Sequence, residues 1–327
     1  MQLSEGPRLL AGGPIAADIR AGLREDVVAF RRRYGYAPSL AVVLVGRDAP
    51  SAVYLGQILR SCRSVGIDGR FVEISGRVSA AGVRAQFAEL SRDPLVSGII
   101  VQMPLPKRIP LTAVIDTIDP AKDIDGIHPL NAGLMALGRD GFLPATAQAA
   151  VEILKRSGIP IEGRRAVVVG RSNIVGKPTA LLLMREHATV TVCHSRTRDL
   201  ASHTRSAEIL VVAVGKPGLI TGDMLQPGAV VVGVGINIVG DQIVGDVDIE
   251  TARDVVSAIT PVPGGVGPMT NALLMSHLMR AARIQAALLR RRGGATRLDA
   301  ERSPDPSLDA GPGQAGQPTA LPVGAGR

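Results

Sequence analysis

The chain has no tryptophan, and its 327 residues include only three tyrosines, four phenylalanines and two cysteines. Two cysteines are too few for a disulfide framework, so we expect a reducing compartment such as the cytoplasm. The scarcity of aromatic residues argues against the stacking platforms that bind single-stranded nucleic acid. No apolar run reaches the roughly 18 residues that a membrane-spanning helix needs, and the first residues do not follow the secretory-signal pattern. We therefore expect neither nucleic acid nor membrane as a partner.

Lysine is also rare, because only five of the 37 basic residues are lysines and none precedes Lys107. The net charge is nevertheless +8, with arginines scattered along the chain rather than gathered into one stripe. Anionic small molecules, such as a phosphorylated dinucleotide, explain this charge better than nucleic acid does. The five histidines show no metal-ligand spacing with the cysteines, so no metal site is predicted.

Apolar strand-like runs alternate with amphipathic helical patterns through most of the chain. The helical patterns of the first half begin at Pro14, Ser51 and Ala80, and its candidate strands are residues 39–46, 71–74 and 98–102. A second series follows a helix near 148–157, and its candidate strands are residues 165–170, 189–193, 209–214, 229–234 and 257–259. This alternation predicts an α/β fold with parallel sheets in two domains. We place these domains at residues 1–145 and 146–269.

The C-terminal part of the chain changes character near residue 292. Residues 270–292 form a strongly apolar helical pattern, whereas glycine, proline, alanine, serine and aspartate dominate from residue 293 onward. We therefore predict a disordered tail over 293–327, outside the catalytic fold. A binding motif hidden in this segment is the alternative.

Residues 260–270 read Thr-Pro-Val-Pro-Gly-Gly-Val-Gly-Pro-Met-Thr and form the most informative segment of the chain. Three prolines and three glycines in eleven residues exclude a helix or a central strand. The segment follows a short candidate strand, and open α/β folds hold ligands at the carboxyl ends of their strands. A ligand-binding loop is predicted, with a purely structural loop as the alternative.

Residues 165–178 read as a strand, a glycine loop and a helix start. Gly170 permits a tight turn, Gly176 permits close packing, and the helix N-terminus offers amides to a pyrophosphate. The loop lacks the middle glycine of the common Gly-x-Gly-x-x-Gly fingerprint, and many doubly wound domains use such a turn structurally.

An enzyme that uses NAD commonly places an acidic residue about 20 residues further on, where it binds the ribose hydroxyls. This chain has His194-Ser195-Arg196 there instead. Because no carboxylate repels a 2′-phosphate, and Arg171, Ser195 and Arg196 can bind one, we predict NADP as the cofactor. The alternative is that both arginines are solvated surface residues.

Several motifs together resemble the methylenetetrahydrofolate dehydrogenase/cyclohydrolase family. They are the segments 51–66, 101–106 and 120–129, the Gly-Arg-Ser-x-x-Val-Gly-x-Pro loop and the 260–270 segment. The resemblance covers residues 8–290 approximately. It implies an N-terminal three-layer α/β domain and a Rossmann-like NADP-binding domain, with the last helix packing back on the first domain. It also implies a homodimer and a tetrahydrofolate substrate.

The resemblance assigns roles to particular residues. Tyr54 packs on the aminobenzoyl part of the folate, Asp125 accepts hydrogen bonds from the pterin, and Gln102 lies near the reactive carbon. The further substrate-binding candidates are Thr146, Pro263, Gly264 and Gly265, and the cofactor-binding candidates are Gly170, Arg171, Ser172, Gly176, Ser195, Arg196 and Ile236. Ordinary helix packing for Tyr54 and a turn role for Asp125 are the alternatives.

The sequence departs from the family pattern at Ile58. The family has a lysine four residues after the tyrosine, on the same helix face, and this lysine handles the proton of the cyclohydrolase step. Isoleucine cannot donate or accept a proton, and Arg60 points roughly to the opposite side and stays protonated. Smaller departures occur in residues 11–13, 144–149 and 233–237.

These observations predict an NADP-dependent methylenetetrahydrofolate dehydrogenase whose cyclohydrolase activity is weak or lost. Hydride transfer depends mainly on positioning two ligands, whereas hydrolysis gains from a general acid–base group. A non-catalytic protein that binds NADP or folate is one alternative. A dehydrogenase of another small substrate is the other.

Overall fold

The computed structural model describes residues 6–46, 49–240 and 242–291, without the side chains of residues 49–54 and 291. The tail predicted over 293–327 lies outside the described residues, and the side chain of Tyr54 is likewise not described. No helix in the described ranges is long and apolar enough to cross a membrane.

The first half of the chain forms a parallel three-stranded sheet with helices around it. Its elements are β1 (Arg8–Leu9), α1 (Gly12–Tyr34), β2 (Ser39–Val45), α2 (Ala49–Val65), β3 (Asp68–Ile74), α3 (Ala80–Arg92), β4 (Gly98–Val101), α4 (Thr112–Ile115) and α5 (Pro129–Ala136). The strand order is β3-β2-β4, and Val42 is in register with Phe71 and Ile100. All seven residues of β2 are buried, as a central parallel strand requires.

The second half forms a parallel six-stranded sheet. Its elements are α6 (Ala145–Arg156), β5 (Arg165–Val169), α7 (Gly176–Arg185), β6 (Thr189–Cys193), α8 (Leu200–Thr204), β7 (Ile209–Val212), a 3₁₀ turn (Gly222–Met224), β8 (Val230–Gly233), the antiparallel hairpin β9 (Asn237–Val239) and β10 (Gln242–Val244), α9 (Ile249–Ala252), β11 (Ala258–Ile259) and α10 (Val266–Arg291). The strand order is β1-β11-β8-β7-β5-β6. The predicted α/β fold with parallel sheets and a Rossmann-like second half is confirmed.

Strand β1 comes from the start of the chain but lies at the edge of the second sheet, where Arg8 pairs with Ala258 and Leu9 with Ile259. Two residues carry no readable strand pattern, so the sequence did not predict this strand. The chain therefore contributes a strand to the second sheet before it forms the first. A division at residue 145 assigns this strand to the first domain.

Helix α10 contacts both halves. Its Leu274 and Leu278 lie in the same buried apolar cluster as Leu40 of β2, whereas Met269 and Leu273 belong to the cluster beneath the second sheet. The helix therefore packs back on the first sheet, as the resemblance implies.

Candidate functional site

A cavity of about 410 Å³ lies where the loop 261–265 and the first turn of α10, which begins inside the segment predicted to be loop, face the β9–β10 hairpin. Its lining includes the predicted substrate-binding residues Pro263, Gly264 and Gly265 together with Ile236, which the sequence assigns to the cofactor. Gln57 of α2 also lines it. The structure thus brings predicted substrate and cofactor residues into one cavity, which also touches the first half of the chain.

The loop 260–265 is held in place by hydrogen bonds to the elements on either side of it. Gly264 has a φ of +112°, and its carbonyl oxygen accepts the N–H of Gly12 at 2.9 Å. A Cβ at Gly12 would overlap the carbonyl oxygen of Gly265, so α1 begins directly against this loop. The hydroxyl of Thr260 accepts the N–H of Gly233 at 2.8 Å. These bonds fix the loop to both α1 and β8, and only glycine permits the close approach.

The glycine loop after β5 is equally compact. Gly170 has a φ of +130°, and a Cβ there would overlap the carbonyl oxygen of Ala213. A Cβ at Gly176 would overlap the carbonyl oxygen of Gly170. The Ser172 hydroxyl accepts the N–H groups of Val175 and Gly176 at 3.1 and 3.2 Å. This tight strand-to-helix turn fits a dinucleotide, whose pyrophosphate binds at such a helix N-terminus.

The basic residues predicted for the 2′-phosphate lie on neighbouring strand ends, because Val169 of β5 pairs with Cys193 of β6. Arg171, Ser195 and Arg196 are exposed. Among the described residues, no carboxylate forms an ion pair with either arginine. Their positive charges are therefore available to an anionic ligand.

Asp246 is a buried carboxylate that the sequence analysis missed. Its Oδ2 accepts the N–H groups of Val214 and Gly215 at 2.7 and 3.0 Å, and its Oδ1 accepts Lys216 N–H and the Asn237 amide, each at 2.9 Å. It therefore ties the loop after β7 to the β9–β10 hairpin. No sequence signal singles it out, because its partners lie up to 32 residues away.

Asp125 lies in the loop that joins the β4 region to α5. Desolvation of its half-buried carboxyl, and then the charge of Asp123, raise the pKa of Asp125 to about 7, while the backbone N–H of Ala145 opposes this rise. Gly126 has a φ of +65°, and a Cβ there would overlap the Leu143 carbonyl. The loop is therefore pressed against the start of α6, where half-buried Thr146 follows Ala145.

The neighbouring Asp123 has a different environment. It is 1% exposed, and its carboxylate accepts Asn131 Nδ2 at 2.7 Å and the N–H groups of His128 and Ile127 at 2.8 and 3.1 Å. Burial raises the pKa of Asp123, and these hydrogen bonds partly offset the rise. Because its oxygens accept hydrogen bonds from the protein, Asp123 supports the loop.

Gln102 follows β4 directly and is 4% exposed. Its backbone N–H donates to Val43 O at 2.8 Å, which continues the pairing with β2. The structure therefore places Gln102 at the carboxyl end of the first sheet, where parallel strands present ligand-binding residues.

Ile58 is fully buried in an apolar cluster that includes Val42, Ile100 and Ile124. One turn later on the same face of α2, Cys62 Sγ lies 3.6 Å from Met275 Sδ of α10. Burial raises the pKa of the Cys62 thiol to about 12, so it stays protonated. Arg60 is exposed and thus lies on a different side of the helix. Position 58 is therefore a core position that carries no proton donor.

Comparison with known families gives two matches that together cover most of the chain. The catalytic domain of the tetrahydrofolate dehydrogenase/cyclohydrolase family matches residues 10–125. The NAD(P)-binding domain of the same family matches residues 144–286.

Individual proteins agree with these matches. The chain is 49% identical over 280 residues to the bifunctional protein FolD of Roseiflexus sp. strain RS-1, covering 85% of this chain and 97% of that protein. The crystal structure of FolD from Campylobacter jejuni is similar, with a TM-score of 0.82 and 40% identity, covering 84% and 98% of the two chains. FolD of Trypanosoma brucei, solved with NADP cofactor and an inhibitor, gives a TM-score of 0.83 and 35% identity over 86% and 98% of the chains.

Proposed function

Because the chain belongs to the tetrahydrofolate dehydrogenase/cyclohydrolase family, we propose that it oxidises 5,10-methylenetetrahydrofolate to 5,10-methenyltetrahydrofolate with NADP. The observation that carries this proposal is the cavity in which Pro263, Gly264 and Gly265 face Ile236. A folate and a dinucleotide must meet there for direct hydride transfer, and positioning supplies most of the catalysis.

The folate side of the site is formed by the first half of the chain. Asp125 retains acceptor capacity beyond its bond from Ala145, and a carboxylate can accept about four hydrogen bonds. It binds the N–H donors of the pterin, with Gln102 and Thr146 at the neighbouring strand and helix ends. Tyr54 is assigned to the aminobenzoyl ring on the family motif.

Residues of the second sheet hold the cofactor. Gly170, Ser172 and Gly176 form the turn for the pyrophosphate, and Arg171, Ser195 and Arg196 bind the 2′-phosphate. Bound NADP supplies the hydride acceptor. The absence of an acidic residue from the 194–196 segment supports NADP over NAD.

Hydrolysis of the methenyl product is weak or absent in this proposal. Hydrolysis adds water and breaks a carbon–nitrogen bond, and a positioned acid–base group typically contributes about 10²–10⁴-fold to such a step. Ile58 occupies the position of the family's lysine and is enclosed by apolar side chains. The oxidation needs no such group, because its product cation is delocalised over two nitrogens.

The purified full-length protein tests the dehydrogenase assignment directly. NADPH formation is measured with 5,10-methylenetetrahydrofolate and either NADP or NAD. We expect turnover that depends on the folate, with a higher kcat/KM for NADP. Binding of both ligands without turnover would show a non-catalytic binding protein, and failure to bind any reduced folate would show a different substrate.

We also infer a homodimer and a cytoplasmic location. The dimer rests on the family resemblance and the location on the low cysteine content. Sedimentation of the purified protein tests the first inference, and cell fractionation tests the second.

A further inference from the structure

One imidazole ring joins the three segments that surround Asp125. His277 of α10 is 7% exposed, and its Nδ1 lies 2.8 Å from the carbonyl oxygen of Ile124, the residue before Asp125. Its Nε2 lies 2.8 Å from the side-chain Oε1 of Gln148 on α6. The ring of Phe142 packs edge-on, with 5.8 Å between the ring centroids. Helix α10, the Asp125 loop and α6 therefore meet on this side chain.

The hydrogen-bond partners determine which nitrogen of His277 carries the proton. Burial lowers the pKa of His277 to about 4, so the ring is neutral at physiological pH and has one N–H. The Ile124 carbonyl can only accept, so the proton is on Nδ1. Nε2 then accepts, so the Gln148 amide, whose Oε1 lies 2.8 Å from Nε2, must make a half-turn to present its nitrogen instead.

The Asp125 loop is held from two directions. The backbone N–H of Ala145, the first residue of α6, is directed at the Asp125 carboxyl and lowers its pKa. The preceding carbonyl, that of Ile124, accepts His277. Ala145 and Gln148 are three residues apart, so they lie on the same face of α6. One helix face therefore binds both Asp125 and the histidine that holds its neighbour.

We propose that His277 is a positioning residue for the substrate-binding carboxylate. By holding the Ile124 carbonyl, it fixes the direction in which Asp125 presents its oxygens to the folate heterocycle. His277 does not touch the substrate. The inference rests on the proposed function, because Asp125 orients a ligand only if a reduced folate binds there.

The main test replaces the ring nitrogens and keeps the ring. In His277→Phe, the Kd for tetrahydrofolate should rise about tenfold, because one directing hydrogen bond is lost. The Kd for NADP should change by less than about twofold, since the second-sheet loops are untouched. In turnover, the KM for the folate should rise more than kcat falls.

Gln285→Met is the matched control on the same helix. Gln285 donates to the carbonyl of Ser97 at 2.7 Å, so its replacement also removes a bond between α10 and the first half of the chain. Its Nε2 also donates to the carbonyl of Ala121 at 3.4 Å, four residues before Asp125, but it does not contact Ile124 or Asp125 in the described part of the chain. We expect a lower Tm, as in His277→Phe, with an unchanged Kd for tetrahydrofolate.

Gln148→Met covers the case in which His277→Phe does not fold. It keeps the histidine and removes the hydrogen-bond partner of Nε2, which helps to hold the ring in place, so the folate Kd should rise by about threefold. Ring ¹⁵N spectra of the wild type should show a protonated Nδ1 and an unprotonated Nε2.

The proposal is overturned if both variants lower Tm yet bind tetrahydrofolate like Gln285→Met, or if the wild-type proton is on Nε2. A wild-type protein that binds no reduced folate would overturn the proposed function as well. That failure is distinguishable because it precedes any substitution.

Discussion

Two regions beside the first sheet, the loop after β4 and helix α2, carry opposite chemistry. In the loop after β4, Asp123 is surrounded by donors and Asp125 keeps acceptor capacity for a ligand. On α2, Ile58 is fully buried among apolar side chains, and the exposed Arg60 lies on another side of the helix. The first region keeps a carboxyl group that can accept hydrogen bonds, whereas the second offers no group that exchanges a proton.

This difference concerns the two activities that the family combines, oxidation by the dehydrogenase and hydrolysis by the cyclohydrolase. Binding and hydride transfer depend on holding two ligands in a fixed position. Hydrolysis needs a proton carrier as well, and that function depends on one position of one helix. The first task can therefore persist when the second is lost.

The largest effect is expected from Ile58→Lys, which introduces a proton-exchanging group into the apolar region on α2. An amine at this position should raise the ratio of cyclohydrolase to dehydrogenase activity by roughly 10²-fold or more. Its apolar surroundings should lower the pKa of the amine towards neutrality, which favours proton exchange. They should also lower Tm, because a charge is buried. Both activities are measured on the same preparation.

Ile58→Met is the control for this substitution, because it keeps an apolar side chain of similar volume. It should leave the activity ratio unchanged. An equal gain in both variants would show that loosened packing, rather than the amine, admits the reaction.

Asp125→Asn tests the polar loop after β4 and should have the next largest effect. At pH 8 it should weaken folate binding by about 10–100-fold, because a charge-assisted acceptor becomes a neutral amide. In the wild type the KM for folate should rise as pH falls through about 7, where Asp125 becomes protonated. An identical pH profile in the variant would show that another group titrates.

The same carboxyl has an opposite effect on stability. Its folded-state pKa is raised from 3.8 to about 7, so its stabilising contribution is present below 3.8 and is lost as pH rises through 7. Asp125→Asn should therefore gain stability relative to the wild type between pH 5 and pH 8. Thermal unfolding at both pH values measures this, and a constant difference would contradict the assignment.

Arg196→Ala tests the cofactor side, with a smaller expected effect. Loss of one phosphate contact should raise the KM for NADP about tenfold and leave that for NAD almost unchanged. Arg198→Ala is the matched control, because it removes an exposed arginine of the same loop that is not assigned to the phosphate. Equal losses for both cofactors would place Arg196 outside the 2′-phosphate site.

Asp246→Asn should have the smallest effect on binding. Its amide nitrogen cannot accept the backbone N–H groups that Oδ2 or Oδ1 now accepts, so the loop 214–216 should loosen. We expect an NADP Kd about threefold higher and a lower Tm. An unchanged Kd for folate in the same protein would show that the effect is confined to the second sheet. An unchanged Kd for NADP would show that Asp246 does not support the cofactor site.

The sequence predicted regular elements well where a long apolar pattern was present. The predicted strand 189–193 agrees with β6, and the pattern from residue 80 agrees with α3 at its start. The strand β1 and the β9–β10 hairpin were not predicted, because strands of two or three residues contain too little periodicity. The equally short β11 was predicted only from the apolar residues that precede the proline- and glycine-rich segment. The glycine loops were readable because glycine is required there by close backbone contacts.

The candidate site was predictable only where residues belong to contiguous motifs. Gly170 and Asp125 lie in such motifs, although their roles stay predictions. His277 is separated from Ile124 by 153 residues and from Gln148 by 129, so only the folded chain reveals their contacts. Ile58 likewise shares its buried cluster with Leu274 and Leu278 of α10, which lie more than 200 residues away along the chain.

The proposal that oxidation is kept and hydrolysis is weak or lost is tested most directly on the wild-type protein. Its rate of 5,10-methenyltetrahydrofolate hydrolysis is compared with its rate of NADPH formation. Both are followed on one preparation at one pH, with hydrolysis in buffer alone subtracted. We expect NADPH and the methenyl product to accumulate together, because hydrolysis above background is much slower than oxidation. Enzymatic hydrolysis as fast as NADPH formation would contradict it and would mean that another group or a bound water handles the proton.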